Sequence, residues 1–149
     1  MFTKALIAFL VLPGMVAFVI PAAWLWQAQR THLEHPFGLA VLMLGVVGLL
    51  VCVRDFYVSG KGTLAPWAPP EKLVMVGLYR YSRNPMYVSV GLVLLGWALA
   101  FASPALGAYT LLVAMAFHIR VVRGEEPWLA RTHGADWNRY VSQVPRWFR

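Results

Sequence analysis

The sequence predicts an all-α integral membrane protein, with about four transmembrane helices, the last two forming a helical hairpin, and a cytoplasmic interfacial helical tail. Three observations predict it. The chain of 149 residues is 60% hydrophobic and only 13% charged, with a mean hydropathy of +0.61, whereas a soluble domain carries about 25% charged residues. Charge-free runs recur: residues 5–29 contain no Asp, Glu, Lys or Arg, and neither does the stretch between Arg83 and Arg120. The cations are also segregated. With the N-terminus inside, Lys4, Arg54, Lys61, Lys72, Arg80, Arg83, Arg120, Arg123, Arg131, Arg139, Arg146 and Arg149 fall on the inner side and Arg30 alone on the outer. That is the positive-inside bias of a membrane protein with both termini cytoplasmic, in a bacterial-type inner membrane.

Each element follows in order. Residues 5–26 are long enough to span, since a spanning helix needs about 20 apolar residues. Pro13-Gly14 and Pro21 predict kinks. A secretory hydrophobic region is shorter, about 7–15 residues, so this segment reads as a retained span. Residues 36–53 form a short second span rich in small residues, Gly38, Ala40, Gly45 and Gly48, which let helices approach closely in lipid. Residues 54–84 form the long inner loop, where Pro66, Pro69 and Pro70 oppose a helix and Trp67 suits the membrane interface. The next charge-free stretch is too long for one span. Ser103-Pro104 near its middle, with Gly107 beyond, splits it into spans over 86–102 and 105–122. The tail, 123–149, mixes Trp128, Trp137, Tyr140, Trp147 and Phe148 with arginines, the composition of one or two interfacial helices broken near Gly134 and ended by Pro145. The length fits a single domain over residues 1–149.

Several chemistries are unsupported. There is no Gly-x-Gly-x-x-Gly and no His-Glu-x-x-His, Gly60-Lys61-Gly62 lacks phosphate-loop spacing, and the single Cys52 offers neither a disulfide nor a metal framework. The charge of +7 suits anionic headgroups rather than nucleic acid. His32 and His35 belong to the outer loop. The chemistry-bearing residues that remain converge on one edge of the hairpin. Asn84 is a candidate N-cap and Pro85 suits the first turn of the third span; the free N–H groups there favour a carboxylate or polar base edges. Glu125 and Glu126 stand where the fourth span meets the interface, placed either for a cationic ligand or for surface pairing with arginines. His118 lies seven residues earlier, on the face of Glu125 if the helix is continuous, and an ionisable residue at membrane depth points to function.

Read together, Gly77-Leu-Tyr-Arg-Tyr-Ser-Arg-Asn-Pro-Met-Tyr87, the apolar hairpin, Arg123-Gly-Glu-Glu126, Trp137-Asn-Arg-Tyr140 and Val144-Pro-Arg146 resemble the isoprenylcysteine carboxyl methyltransferase and phospholipid methyltransferase family. The resemblance covers residues 77–147. Arg83, Pro85, Tyr87, Glu125 and Glu126 match the family pattern Arg-His-Pro-x-Tyr-x-Gly followed by Glu-Glu, while Asn84 replaces its His and Ser89 its last Gly. Gly124 and Pro127 flank the acids and predict an interruption of the helix there. The resemblance implies an integral membrane methyltransferase using S-adenosylmethionine. Its cofactor would be held by Tyr81, Asn84, Pro85, Tyr87, His118, Glu125 and Glu126, with the tail closing over it. Arg83, Arg123 and Glu126 would serve the reaction, the arginines steering an anionic headgroup and Glu126 or His118 assisting an amine acceptor. The acceptor it implies is lipidic or hydrophobic, an isoprenylcysteine-type carboxylate or a phospholipid amine, and no metal is called for. Two other classes stand beside it: a non-enzymatic scaffold or assembly factor of the same shape, and a transporter, against which the spans offer almost no polar path apart from His118.

Overall fold

A computed structural model describes residues 10–59 and 72–148 of the chain. Residues 5–9 of the first expected span, and Lys61, Pro66, Trp67, Pro69, Pro70 and Arg149, lie outside them. The described residues are helical, without strands. Helix α1 is wound as a π-helix over Leu10–Val19 and as an α-helix over Ile20–Gln27. Pro13 lies inside the wider part, whose slack accommodates a residue that cannot donate to the ladder. Helix α2 is Pro36–Ser59, followed by a 3-10 turn at Gly77–Arg80. Helices α3, Pro85–Ala100, and α4, Pro104–Arg120, form the hairpin. A π turn at Val121–Glu125 joins α4 to the tail helix α5, Glu126–Gln143.

Among the described residues two helices are long and apolar enough to cross a membrane, α2 and the run Pro104–Gln143 that α4 begins. Helix α3 is apolar but has 16 residues, a rise of about 24 Å against a hydrocarbon core of about 30 Å. The hairpin turn falls at Ser103, whose hydroxyl accepts from the Leu106 N–H and caps α4 just before Pro104.

Among the described residues the most extensive helix contact is that of α2 with α3, packed antiparallel through small residues. A Cβ on Gly38 would stand 2.2 Å from the Ala100 nitrogen, one on Gly45 2.6 Å from the Val93 nitrogen, and one on Gly96 2.5 Å from the Leu42 Cβ. Leu42, Leu49, Val90, Val93 and Leu94 fill the seam. The buried stripe of α2 runs Gly38, Leu42, Gly45, Leu49, Cys52, Asp55. It therefore ends on an acid, whose Oδ2 lies 2.0 Å from where a Gly77 Cβ would be. The outward faces are apolar instead: Leu44, Leu111, Leu112 and Met115 are all exposed. That inversion is what lipid requires.

Candidate functional site

The site forms where the start of α3, the end of α4 and the tail meet. Val76–Tyr81 is a short turn that Gly77 enters at φ +57°, and it delivers Ser82, Arg83 and Asn84 to the first turn of α3. Asn84 occupies the N-cap position, but its side chain makes no capping bond. Its Nδ2 donates instead to the Arg146 carbonyl at 3.1 Å, and the Ser82 hydroxyl donates to the same carbonyl at 3.2 Å. The Arg83 N–H donates to the Pro145 carbonyl at 2.9 Å. The expected cap is thus replaced by a latch onto the tail.

Both glutamates are ion-paired. Glu126, whose side chain is 14% exposed, lies 2.9 Å from Arg83 Nη1, and Arg83 is itself only 10% exposed. Arg146 reaches the same carboxylate with both ends of its fork, Nε at 3.0 Å and Nη2 at 2.8 Å. That hydrogen bonding raises the Arg146 guanidinium further above its ordinary value, with burial opposing. The Arg83 guanidinium also lies over the Trp137 ring, 5.5 Å from its centroid, and its Nε is buried without a partner among the described residues. Glu125 turns the other way. It accepts from the Tyr87 hydroxyl and from Arg120 Nε at 2.7 Å, and Tyr87 packs on Phe117 at 4.4 Å between centroids.

The two acids diverge because of the π turn. Pro127 has no N–H to offer, and Glu126 donates to the Val121 carbonyl five residues back, widening the turn. The interruption expected at Gly124 and Pro127 is therefore a change of winding within one helical run. It also separates His118 from Glu125: the His118 Nδ1 accepts from Trp147 Nε1 at 3.3 Å, and Glu125 faces Tyr87 and Arg120.

Arg83, Asn84, Pro85, Tyr87, Glu125 and Glu126 are brought together, with His118 at the margin through Trp147. Two expected residues are not. Arg123 is exposed and makes no ion pair or hydrogen bond among the described residues, because the π turn carries it away from the acids. Tyr81 is 71% exposed and borders an open surface cleft with Arg80, Gln143, Pro145 and Phe148. Arg120 and Ser82 were given no role by the sequence. Arg146 entered only as an inner-side cation and within Val144-Pro-Arg146, since nothing local marks an arginine as the partner of an acid 20 residues away.

In comparison with known proteins, a family model described as phospholipid methyltransferase fits residues 33–136, more than half of the chain. No curated protein and no solved structure matches.

Proposed function

The chain belongs to the phospholipid methyltransferase family, and from that premise we propose that it moves a methyl group from S-adenosylmethionine to a lipidic or hydrophobic acceptor at the membrane surface. The observation that carries this reading is the convergence of Arg83, Asn84, Tyr87, Glu125 and Glu126 at one end of the hairpin, with the tail folded onto them. The architecture we propose is one domain of four spans, with this site on the cytoplasmic side, where twelve of the thirteen cations of the sequence gather.

The donor set suits a ligand that carries both ammonium and carboxylate. Glu126 would take the ammonium. The Arg83 Nε, buried and without a partner among the described residues, and the Asn84 amide suit the carboxylate. Tyr87, packed against Phe117 at a tilt of 36°, offers an aromatic wall for the adenine, with Pro85 beside it. When bound, the cofactor supplies a methyl carbon already activated on a sulfonium. The chain's own work is then alignment and exclusion of water. A carboxylate acceptor needs no base. For an amine acceptor, Glu125, held by Tyr87 and Arg120, would receive the proton. Arg120 and Arg123 provide positive charge for an anionic headgroup.

One observation favours a second reading, a scaffold without activity: both glutamates are already neutralised by arginines of the same chain. Incubating the purified protein with labelled cofactor and total membrane lipid, and identifying the product by mass, separates the two. Methylated lipid supports the enzyme. No product in detergent or in bilayers, with no binding of the cofactor or its demethylated form, leaves the scaffold. Within the first reading, Glu126→Gln is expected to reduce cofactor affinity measured by calorimetry by at least a hundredfold, the scale of one desolvated charge pair. Unchanged affinity in a folded variant removes Glu126 from the site.

A further inference from the structure

The strap that follows α5 consumes the groups a ligand would need. Asn84 donates to the Arg146 carbonyl, His118 accepts from Trp147, and Glu126 is chelated by the Arg146 guanidinium. Charge counting shows the consequence. Arg83, Arg120 and Arg146 face Glu125 and Glu126, which leaves one positive charge in surplus. A cationic ligand added to this arrangement would be repelled, and strongly, because the Arg83 and Glu126 side chains are only 10% and 14% exposed. Withdrawing Arg146 leaves the remaining four side chains balanced.

We infer that Arg146 is an internal competitor for the cofactor: it occupies Glu126 in the free protein, yields as the cationic end of the cofactor enters, and returns once the methyl group has left. This rests on the reading of the site given above. S-adenosylmethionine carries an ammonium, a sulfonium and a carboxylate, hence one net positive charge, and exchanges one for one with the guanidinium. Methyl transfer breaks the sulfur–methyl bond, the electron pair stays on sulfur, and the acceptor's lone pair forms the new bond. The demethylated product is therefore a sulfide with no net charge. It keeps the ammonium that faces Glu126 but has lost the sulfonium charge, and Arg146 competes with it for that carboxylate as it leaves. The strap is suited to such movement. It has no helical ladder beyond the Val144 N–H bond to the Tyr140 carbonyl, it is held by single hydrogen bonds from Ser82, Arg83 and Asn84, and the Arg146 side chain is already 36% exposed.

The test measures two things on full-length protein in bilayer discs: amide exchange of residues 144–148 without ligand, and calorimetric affinity for S-adenosylmethionine and for S-adenosylhomocysteine. Arg146→Gln is expected to speed exchange in the strap. It is also expected to tighten binding of S-adenosylmethionine by about tenfold, the scale of one charge-assisted hydrogen bond lost by the competitor. S-adenosylhomocysteine should tighten by a similar factor, because its ammonium displaces the same guanidinium from Glu126. Arg146→Lys keeps the charge without the fork and should fall between; if the glutamine variant does not fold, the lysine variant decides by the same sign. Unchanged strap exchange in Arg146→Gln overturns the latch. Weaker binding of both compounds by that variant overturns the competition while leaving the cofactor reading intact, because Arg146 would then be holding the ligand. Failure of wild type and variant alike to bind either compound overturns the cofactor reading, and the competition with it.

Discussion

Tyr140 ties the tail to the segment that carries the site residues, its buried hydroxyl donating to the Tyr79 carbonyl at 2.7 Å. Burial raises the Tyr140 phenol above its ordinary value, with the charge of Arg83 opposing, and burial likewise places Tyr79 well above the ordinary range. In the unfolded chain a tyrosine ionises near pH 10. Below that pH both states keep the proton and stability is unaffected. As the pH rises past about 10 the unfolded chain ionises first, so stability is lost up to the folded-state value. Tyr140→Phe should cost about 1–2 kcal/mol near neutrality, for the Tyr79 carbonyl left without its partner, and should show a shallower alkaline loss than wild type. Thermal midpoints in detergent between pH 8 and 11 measure both effects, and parallel curves for the two proteins would contradict the second.

At the scale of elements, the α2–α3 seam and the π turn differ in how far the sequence revealed them. The small residues of the second span pointed to close packing, and Gly38 and Gly45 do meet α3 backbone. The hairpin was visible in Ser103-Pro104, because a proline after a capping serine starts a helix by local chemistry alone; the expected 86–102 and 105–122 compare with Pro85–Ala100 and Pro104–Arg120. The π turn was less legible. Gly124 and Pro127 gave only a disturbance, and whether a missing N–H ends a helix or widens it depends on what the flanking side chains find to pair with. Here Glu125 finds Tyr87 and Glu126 finds Arg83, both more than 30 residues away in sequence. The seam itself yields a contrast. Gly96→Ala, whose methyl would lie 2.5 Å from the Leu42 Cβ, should destabilise by about 1–3 kcal/mol through overpacking. Gly91→Ala, with nothing within 4 Å of the new methyl, should be neutral or stabilising by up to about 1 kcal/mol on helix propensity. Equal thermal midpoints for the two variants would show that the helices are not in register as described.

Over the whole molecule, two distributions oppose each other: apolar side chains face outward along the hairpin, while the ion pairs gather at one end. The first was legible from composition and the second from the positions of the cations. What joins the strap to the start of α3 was not, since Asn84 and Arg146 are 62 residues apart and no periodicity marks such a contact. The opposed distributions give the hairpin two chemically distinct ends. At the far end the turn between α1 and α2 carries Arg30, which donates to the Ala102 carbonyl at 3.0 Å, and the Glu34 and His35 N–H groups bond the Ala100 carbonyl. This ties Arg30 to the hairpin turn, so residues 28–35 and the Ser103 turn must share a side. If cation segregation sets orientation, that side is external and the glutamate site internal. In a Cys52→Ala background, Thr31→Cys should react with a membrane-impermeant maleimide on intact cells, and Arg131→Cys only after permeabilisation; both positions are exposed. The reverse pattern would put the site outside, away from cytosolic S-adenosylmethionine, and would count against the methyltransferase reading as directly as a failed binding assay. Labelling of both positions on intact cells would exclude a fixed single orientation, and with it the charge argument that places the site.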